Sequence, residues 1–295
     1  MMFKENVVIA LGVFDGVHRG HQKIVKELKE LGMRTKCKPL VAAFRPNPLE
    51  ILTPDKAPKQ LGSYDSRAQM LSAMDVCVEE LMFDEKVAHL TGEDFWAFLK
   101  DTYNVKGVVV GFNFHFGDGA KWDGNDLLDM VNNDRRICRI VDAYIMDGEA
   151  VSSTRIRSLL DEGKVLDAGR LLGRPYSITG TVVMGRQFGR TIGFPTANLE
   201  IDPGIQVPMK GTYITKAKVE GEWHIAMTNI GENPTVNGKG QKVETFILDF
   251  DKEIYDYTIE VQFFKRMRDE NAFETIEALK AQLKKDKETV VSYFV

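Results

Sequence analysis

Val7-Val8-Ile9-Ala10-Leu11-Gly12-Val13-Phe14-Asp15-Gly16-Val17-His18-Arg19-Gly20-His21 decides the reading of the first half of the chain. The five apolar residues read as a buried strand, and the amphipathic stretch that follows reads as a helix. Between them lies a glycine-rich turn in which the backbone can approach an anion closely. A helix start adds unpaired N–H groups and the positive end of a dipole. His18 and His21, two of the chain's five histidines, are three apart and share a helical face. An imidazole there can donate to a phosphate or neutralise its charge. The turn therefore reads as a phosphate site, the alternative being a tight βα turn with two surface histidines.

Working outward, strands are expected near 6–11, 39–44, 78–83, 107–111 and 139–144, and helices near 18–31, 66–75, 93–101, 124–132 and 155–172. Alternation of this kind implies βαβ units and a mostly parallel, Rossmann-like α/β sheet. Ligands bind such sheets beyond the carboxyl ends of the strands, where this turn belongs.

The pattern changes after Leu172-Gly173-Arg174-Pro175. Strand-like runs at 178–184, 211–219, 223–230, 242–250 and 257–264 follow, separated by turn signals such as Glu220-Gly221 and Asn237-Gly238. They read as a small antiparallel barrel or sandwich. A last helix would align Ile276, Leu279, Leu283, Val290 and Phe294 against it. Two domains are expected, residues 1–173 and 174–295.

Bulk properties narrow the class. The chain has 295 residues, 43% of them hydrophobic and 28% charged, enough for two packed cores under an ordinary soluble surface. A net charge of −4 gives no reason to expect nucleic acid. Three scattered cysteines suggest neither a disulfide framework nor a zinc site. Without a long apolar segment, no membrane partner is expected and the cytoplasm is the expected location.

Val151-Ser152-Ser153-Thr154-Arg155-Ile156-Arg157 offers hydroxyls for a helix N-cap and then positive charge. It reads either as a capped, charged helix start or as a second jaw of a triphosphate clamp. Gly111-Phe112-Asn113-Phe114-His115-Phe116-Gly117 follows a strand, and its aromatics either anchor the loop or stack on a ring. Arg45-Pro46-Asn47-Pro48 is a proline-stiffened loop suited to a pocket wall.

In the second half, Gly180 to Asn198 is glycine-rich, with Gly185, Gly189 and Gly193 suited to a phosphate-accommodating loop. Pro195 pushes Phe194 towards an extended conformation. In an extended chain Thr196 and Asn198 point to one side, where a hydroxyl and an amide oxygen suit Mg²⁺. Alternation in Val243 to Phe250 puts Glu244 on one face with Phe246, Leu248 and Phe250. A carboxylate on an apolar face either reaches solvent at the strand end or acts as a general base.

These motifs resemble those of bacterial bifunctional riboflavin kinase/FAD synthetases over nearly the whole chain. The GxFDGxHxGH turn and SSTxIR are similar to the adenylyltransferase half. GFPTAN at 193–198, Gly211-Thr212-Tyr213, Asn229-Ile230-Gly231 with Pro234-Thr235, and the segment around Glu244 are similar to the riboflavin kinase half. The resemblance implies a six-stranded barrel that transfers the ATP γ-phosphate to riboflavin, giving FMN. It implies an α/β domain that adenylylates FMN to FAD with release of pyrophosphate, each site using ATP and Mg²⁺.

By the same resemblance, Gly12, Phe14, Asp15, Gly16, His18, His21, Ser153, Thr154 and Arg157 would bind the nucleotide, with both histidines catalytic. Asn47 and Asn113 would lie in flavin- or nucleotide-side loops. Gly185, Gly189, Gly193, Pro195, Thr196, Asn198, Asn229 and Arg268 would bind ATP or flavin in the kinase. Thr196 and Asn198 would hold the metal, and Glu244 would be the base. The family pattern has histidine at Asn47, and aspartate and arginine at Asn113 and His115. The Asn47 departure leaves open a riboflavin kinase with a weakened first domain, and a flavin-binding regulator without turnover is the non-enzymatic alternative, which the presence of Thr196, Asn198 and Glu244 argues against.

Overall fold

The computed structural model describes residues 3–185, 187–235 and 238–295. The chain divides into two compact units, Met1–Ser153 and Thr154–Val295.

The first unit runs β1 (Phe3–Gly12), α1 (Arg19–Thr35), β2 (Lys38–Arg45), α2 (Pro48–Leu52), α3 (Tyr64–Ser72), β3 (Cys77–Met82), α4 (Glu85–Ala88), α5 (Gly92–Thr102) and β4 (Tyr103–Gly111). A short hairpin, β5 (His115–Phe116) and β6 (Trp122–Asp123), leads to α6 (Gly124–Asn133) and β7 (Ile137–Val141). A second hairpin, β8 (Ile145–Met146) and β9 (Glu149–Ala150), closes the unit. The five long strands form a parallel sheet in the order β3-β2-β1-β4-β7. The order reverses at β1, so the crevice at the carboxyl ends of β1 and β4 is the topological switch point.

β1 is central because both of its faces are apolar. Val7, Ile9 and Leu11 pack with Phe95, Trp96 and Leu99 of α5 and Leu127 of α6. Val8 and Ala10 pack with Val25, Leu28 and Leu31 of α1 and Leu71 of α3. A strand buried on both sides needs a continuous apolar run, and Val7–Leu11 supplies it.

The second unit opens with α7 (Ser153–Asp161, continuing from the last residue of the first unit) and α8 (Val165–Leu172). It continues through β10 (Tyr176–Val183), α9 (Phe188–Thr191), β11 (Ala197–Glu200), β12 (Gly211–Val219), β13 (Glu222–Thr235), β14 (Gly238–Ile247), β15 (Thr258–Arg268) and α10 (Ile276–Phe294). Six strands close a barrel in the order β10-β11-β14-β13-β12-β15. Inside, Tyr176, Ile178, Tyr213, Ala226, Val243, Ile259 and Phe263 are buried among three threonines. The hydroxyls of Thr215, Thr228 and Thr245 form a chain with 2.9 Å steps. Outside, α10 lays Val290, Leu283 and Phe294 over Ile214, Met227, Phe246 and Leu248.

Several expected elements are corrected. The helix expected over 155–172 is two, because Gly163 breaks it in the left-handed region at φ 72. There a side chain would also collide with Arg266. β11, which closes the barrel, is a sixth strand that hydropathy alone does not mark. β14 ends at Ile247, so Phe250 leaves the face of Glu244, and its ring meets His224 at 5.1 Å. The strand expected over 139–144 runs instead from Ile137 to Val141. Ile276 is 47% exposed rather than packed on the barrel. Of the expected turns, Glu220-Gly221 joins β12 to β13, whereas Asn237 lies outside the described residues.

Candidate active sites

At the end of β1 the chain enters a strained turn. Phe14, Gly16 and Val17 all have positive φ (55, 77 and 42). For a β-branched residue this costs on the order of 1–3 kcal/mol and is tolerated where the surroundings over-determine it. They do so here. Phe14 and Val17 are buried, Val17 N–H donates to Phe14 O at 3.0 Å, and Leu61 N–H donates to Asp15 Oδ1 at 2.8 Å. The Ser153 hydroxyl donates to Asp15 O at 2.9 Å, bringing the first residue of α7 onto this turn.

His18 is the N-cap of α1, and its Nδ1 accepts the His21 N–H at 3.3 Å. The remaining proton of a neutral His18 ring then sits on Nε2. The two rings stack with centroids 3.6 Å apart and a 17° interplanar angle. Gly20 makes that fold possible: a Cβ there would stand 3.0 Å from His18 Cε1 and 3.1 Å from its Nδ1. His21 Nδ1 is buried and has no hydrogen-bond partner among the described residues. Burial, the neighbouring His18 and Arg67 together hold the His21 pKa well below its ordinary 6.5. The site thus presents a neutral imidazole at the switch point, a hydrogen-bond donor suited to a phosphate oxygen.

The other first-unit candidates surround that edge. Gly12 ends β1. Asn47 is buried, caps α2 by accepting the Leu49 N–H at 3.2 Å, and donates its own N–H to the Tyr64 hydroxyl at 2.9 Å. In the loop after β4, Phe114 and Phe116 are buried anchors, whereas Phe112, Asn113 and His115 are exposed. Arg67 was not marked by the sequence, where it reads as an ordinary charged helix residue, yet it is 4% exposed beneath this turn. Thr154 and Arg157, on α7, fall in the second unit.

In the barrel, one rung of strand pairing carries the second site. Asn198 pairs with Glu244, Glu244 with Asn229, Asn229 with Thr212, and Thr212 with Arg268. Five strands therefore present these side chains at one height on the outer face. Glu244, Asn229, Thr212 and Arg268 line a cleft of about 690 Å³ with Thr196, Phe188, Phe194, Phe273 and Leu283, walled on one side by α10, whereas Asn198 lies outside that lining. Within it, Thr212 Oγ1 donates to Asn229 Oδ1 at 3.3 Å, and Asn229 Nδ2 to Glu270 Oε1 at 3.4 Å. Lys242 Nζ lies 2.8 Å from Glu244 Oε1. Two apart in a strand, the two share a face, a signal present in the sequence but not read there.

Gly185 lies against Asn198, and any side chain at 185 would occupy the place of the Asn198 amide. Gly189 and Phe194 close the short loop around α9 through a 2.8 Å hydrogen bond, Gly193 turns at φ 85, and Pro195 is exposed. Asn198 Nδ2 donates to Thr196 O at 3.4 Å, which orients the amide. The Thr196 hydroxyl and the Asn198 amide oxygen are hard-oxygen donors that fit Mg²⁺. No cluster of three or more His, Cys, Asp or Glu side chains able to hold a metal occurs among the described residues. Mg²⁺ is usually held by one or two protein oxygens together with substrate phosphates, which suits this sparse set. Arg268 does not point freely into the cleft: Nη2 and Nε bind Asp286 of α10 at 2.7 and 3.1 Å, and Gln282 supports the same carboxylate at 2.8 Å.

Comparisons with known proteins bear on both units. Residues 1–155 match the family model for FAD synthetase, and residues 172–294 the model for riboflavin kinase. Bifunctional riboflavin kinase/FMN adenylyltransferases are similar over almost the full length. The Bacillus subtilis protein is 35% identical, with 97% of this chain and 92% of that protein covered. The Listeria monocytogenes protein is 34% identical, with 98% and 93% covered. A crystal structure described as a macrolide-efflux protein from Streptococcus pneumoniae superposes with a TM-score of 0.89 at 32% identity, covering 97% of this chain and 94% of that one. Among the described residues no helix is long and apolar enough to cross a membrane.

Proposed function

The chain belongs to the bifunctional riboflavin kinase/FMN adenylyltransferase family, and from that premise we propose which of its residues carry the two reactions. It phosphorylates riboflavin to FMN and adenylylates FMN to FAD, with ATP as co-substrate of both.

Glu244 is the base of the phosphorylation. It takes the proton of the riboflavin 5′-hydroxyl as that oxygen bonds to the γ-phosphorus of ATP, and the bond from phosphorus to the β-phosphate oxygen breaks to release ADP. The rung Asn198–Glu244–Asn229 is the observation that carries this reading. Gly185, Gly189, Gly193 and Pro195 shape the ATP loop, Asn229 faces the flavin alcohol, and Arg268 holds α10 over the cleft. Thr196 and Asn198 would hold Mg²⁺, which when bound neutralises phosphate charge.

In the first unit, the FMN phosphate attacks the α-phosphorus of ATP and pyrophosphate leaves. Neutral His21, together with His18, donates hydrogen bonds to the phosphates as charge shifts towards the leaving group. Gly12, Phe14, Asp15 and Gly16 form the turn that holds them, and Ser153 braces it. Thr154 and Arg157 are assigned to the nucleotide by their motif alone, and Asn47 and Asn113 to the walls of the FMN side. The functional boundary follows Gly173, with α7 and α8 serving the first domain because α7 carries that motif. The protein works in the cytoplasm.

Chromatography of the products formed from riboflavin or FMN with ATP, over a range of Mg²⁺ concentrations, tests the assignment. Thr196→Ala and Asn198→Ala should raise the Mg²⁺ needed for FMN formation. Unchanged Mg²⁺ dependence in both variants would remove these two residues from the metal site.

A further inference from the structure

Arg67 is a buried cation whose hydrogen bonds go to main-chain carbonyls, although the charges of Asp15 and Glu80 also act on it. Its Nη1 donates to Val13 O at 2.6 Å and its Nη2 to Phe44 O at 3.2 Å. Its guanidinium carbon lies 4.5 Å above the Tyr64 ring. Val13 follows the last residue of β1, and Phe44 is the penultimate residue of β2. One planar fork therefore joins the two turns that frame the carboxyl edge of the sheet. The same region is fastened from both sides: Tyr64 accepts from Asn47 N–H, and Asp15 from Leu61 N–H.

Burying a guanidinium costs several kcal/mol, and burial pulls Arg67 below its ordinary pKa. A neutral side chain could tie two carbonyls with less desolvation, so the charge and the fork together need a use. The geometry offers one: the turn held by Val13 leads within five residues to His18, with His21 three further on.

We propose that Arg67 is a positioning residue for adenylyl transfer: its fork fixes the Val13 and Phe44 carbonyls and thereby the turn that carries His18 and His21. This rests on the reading of that turn as the phosphate site. Arg67 touches no reacting atom and acts by holding two main-chain oxygens at a fixed separation. A lysine keeps the charge but cannot reproduce a rigid two-pronged donor. Its charge has a second effect. His18 and Arg67 are the charged or titratable groups that bear on His21, and both oppose an imidazolium there, while Tyr64, Asp15, Glu80 and Arg45 act on Arg67 itself.

The test uses the full-length protein with Arg67→Lys and Arg67→Met, each assayed for both reactions in one preparation. Displacing a reacting group by about 1 Å costs about 100-fold in rate. Arg67→Met should lower kcat for FMN adenylylation by about that factor and Arg67→Lys by about 10-fold. KM for ATP and FMN should stay within about threefold, and riboflavin phosphorylation should be unchanged in both. The His21 ring, followed by ¹³C NMR, should titrate at higher pH in Arg67→Met and at the wild-type pH in Arg67→Lys. FMN turnover within about twofold of wild type in a folded Arg67→Met protein, or equal losses in both reactions, overturns the proposal. If Arg67→Met does not fold, Arg67→Lys decides: a selective loss of FMN turnover supports it, and full turnover refutes it. His21→Ala separates the two levels. If that variant adenylylates normally, the phosphate-site reading fails. If it is inactive while both Arg67 variants are normal, only the positioning role fails.

Discussion

Asn198 and Glu244 stand opposite each other across the pairing of β11 with β14, although 46 positions separate them in the chain. That pairing sets the amide proposed to face the metal beside the proposed base, and Lys242 holds the carboxylate from its own strand at 2.8 Å. Glu244→Ala should lower riboflavin phosphorylation by about 10²–10⁴-fold, the usual worth of a positioned base. Lys242→Met should cost no more than about fivefold, because the ion pair is partly exposed and screened. Lys242→Arg should recover most of that loss. Steady-state rates of FMN formation check all three.

His21 predicts an acid limb in stability. Burial, His18 and Arg67 hold its folded pKa well below the ordinary 6.5. The folded protein thus refuses a proton that the unfolded chain accepts. The stability contribution is complete above the unfolded value and is lost as pH falls through it towards the folded value. The loss reaches at most about 1.4 kcal/mol per pH unit. Urea unfolding followed from neutral pH downwards should show a shallower pH slope for His21→Asn than for wild type.

Gly20 predicts a selective lesion. An added methyl would stand 3.0 Å from the His18 ring, which must shift by a few tenths of an ångström against His21 to admit it. Gly20→Ala should lower FMN adenylylation by about 10-fold through misplacement of His18. Riboflavin phosphorylation by the same protein should keep its wild-type rate.

The Arg268–Asp286 pair predicts a link between stability and flavin binding. Both side chains are largely buried, at 19% and 6% exposure, and the contact pins α10 to β15. Asp286→Asn leaves a buried guanidinium short of its counter-charge, at a cost of about 3 kcal/mol. Denaturant unfolding of the barrel should register that loss, and KM for riboflavin should rise because α10 walls the cleft.

Local chemistry was legible in the sequence, and long-range pairing was not. Val7–Leu11 could only be a strand buried on both faces, and the glycines and histidines after it are the sequence signal for the phosphate turn proposed above. Glu244 drew notice because a carboxylate among alternating apolar residues is costly. Its neighbours could not be read, since Asn198 lies on β11, four residues of mixed polarity that become a strand only through their partners. The break at Gly163 escaped because the apolar spacing continues on either side of it. Arg67 escaped because hydropathy treats a charged helix residue as solvated, and only the fold shows two carbonyls converging on it.

The most direct measurement assays Glu244→Ala and His21→Ala, each confirmed folded, for both reactions. Two separate sites require that Glu244→Ala lose FMN formation while still making FAD from FMN, and that His21→Ala do the reverse. Loss of both reactions in either variant, or of neither, would contradict the assignment of one reaction to each unit.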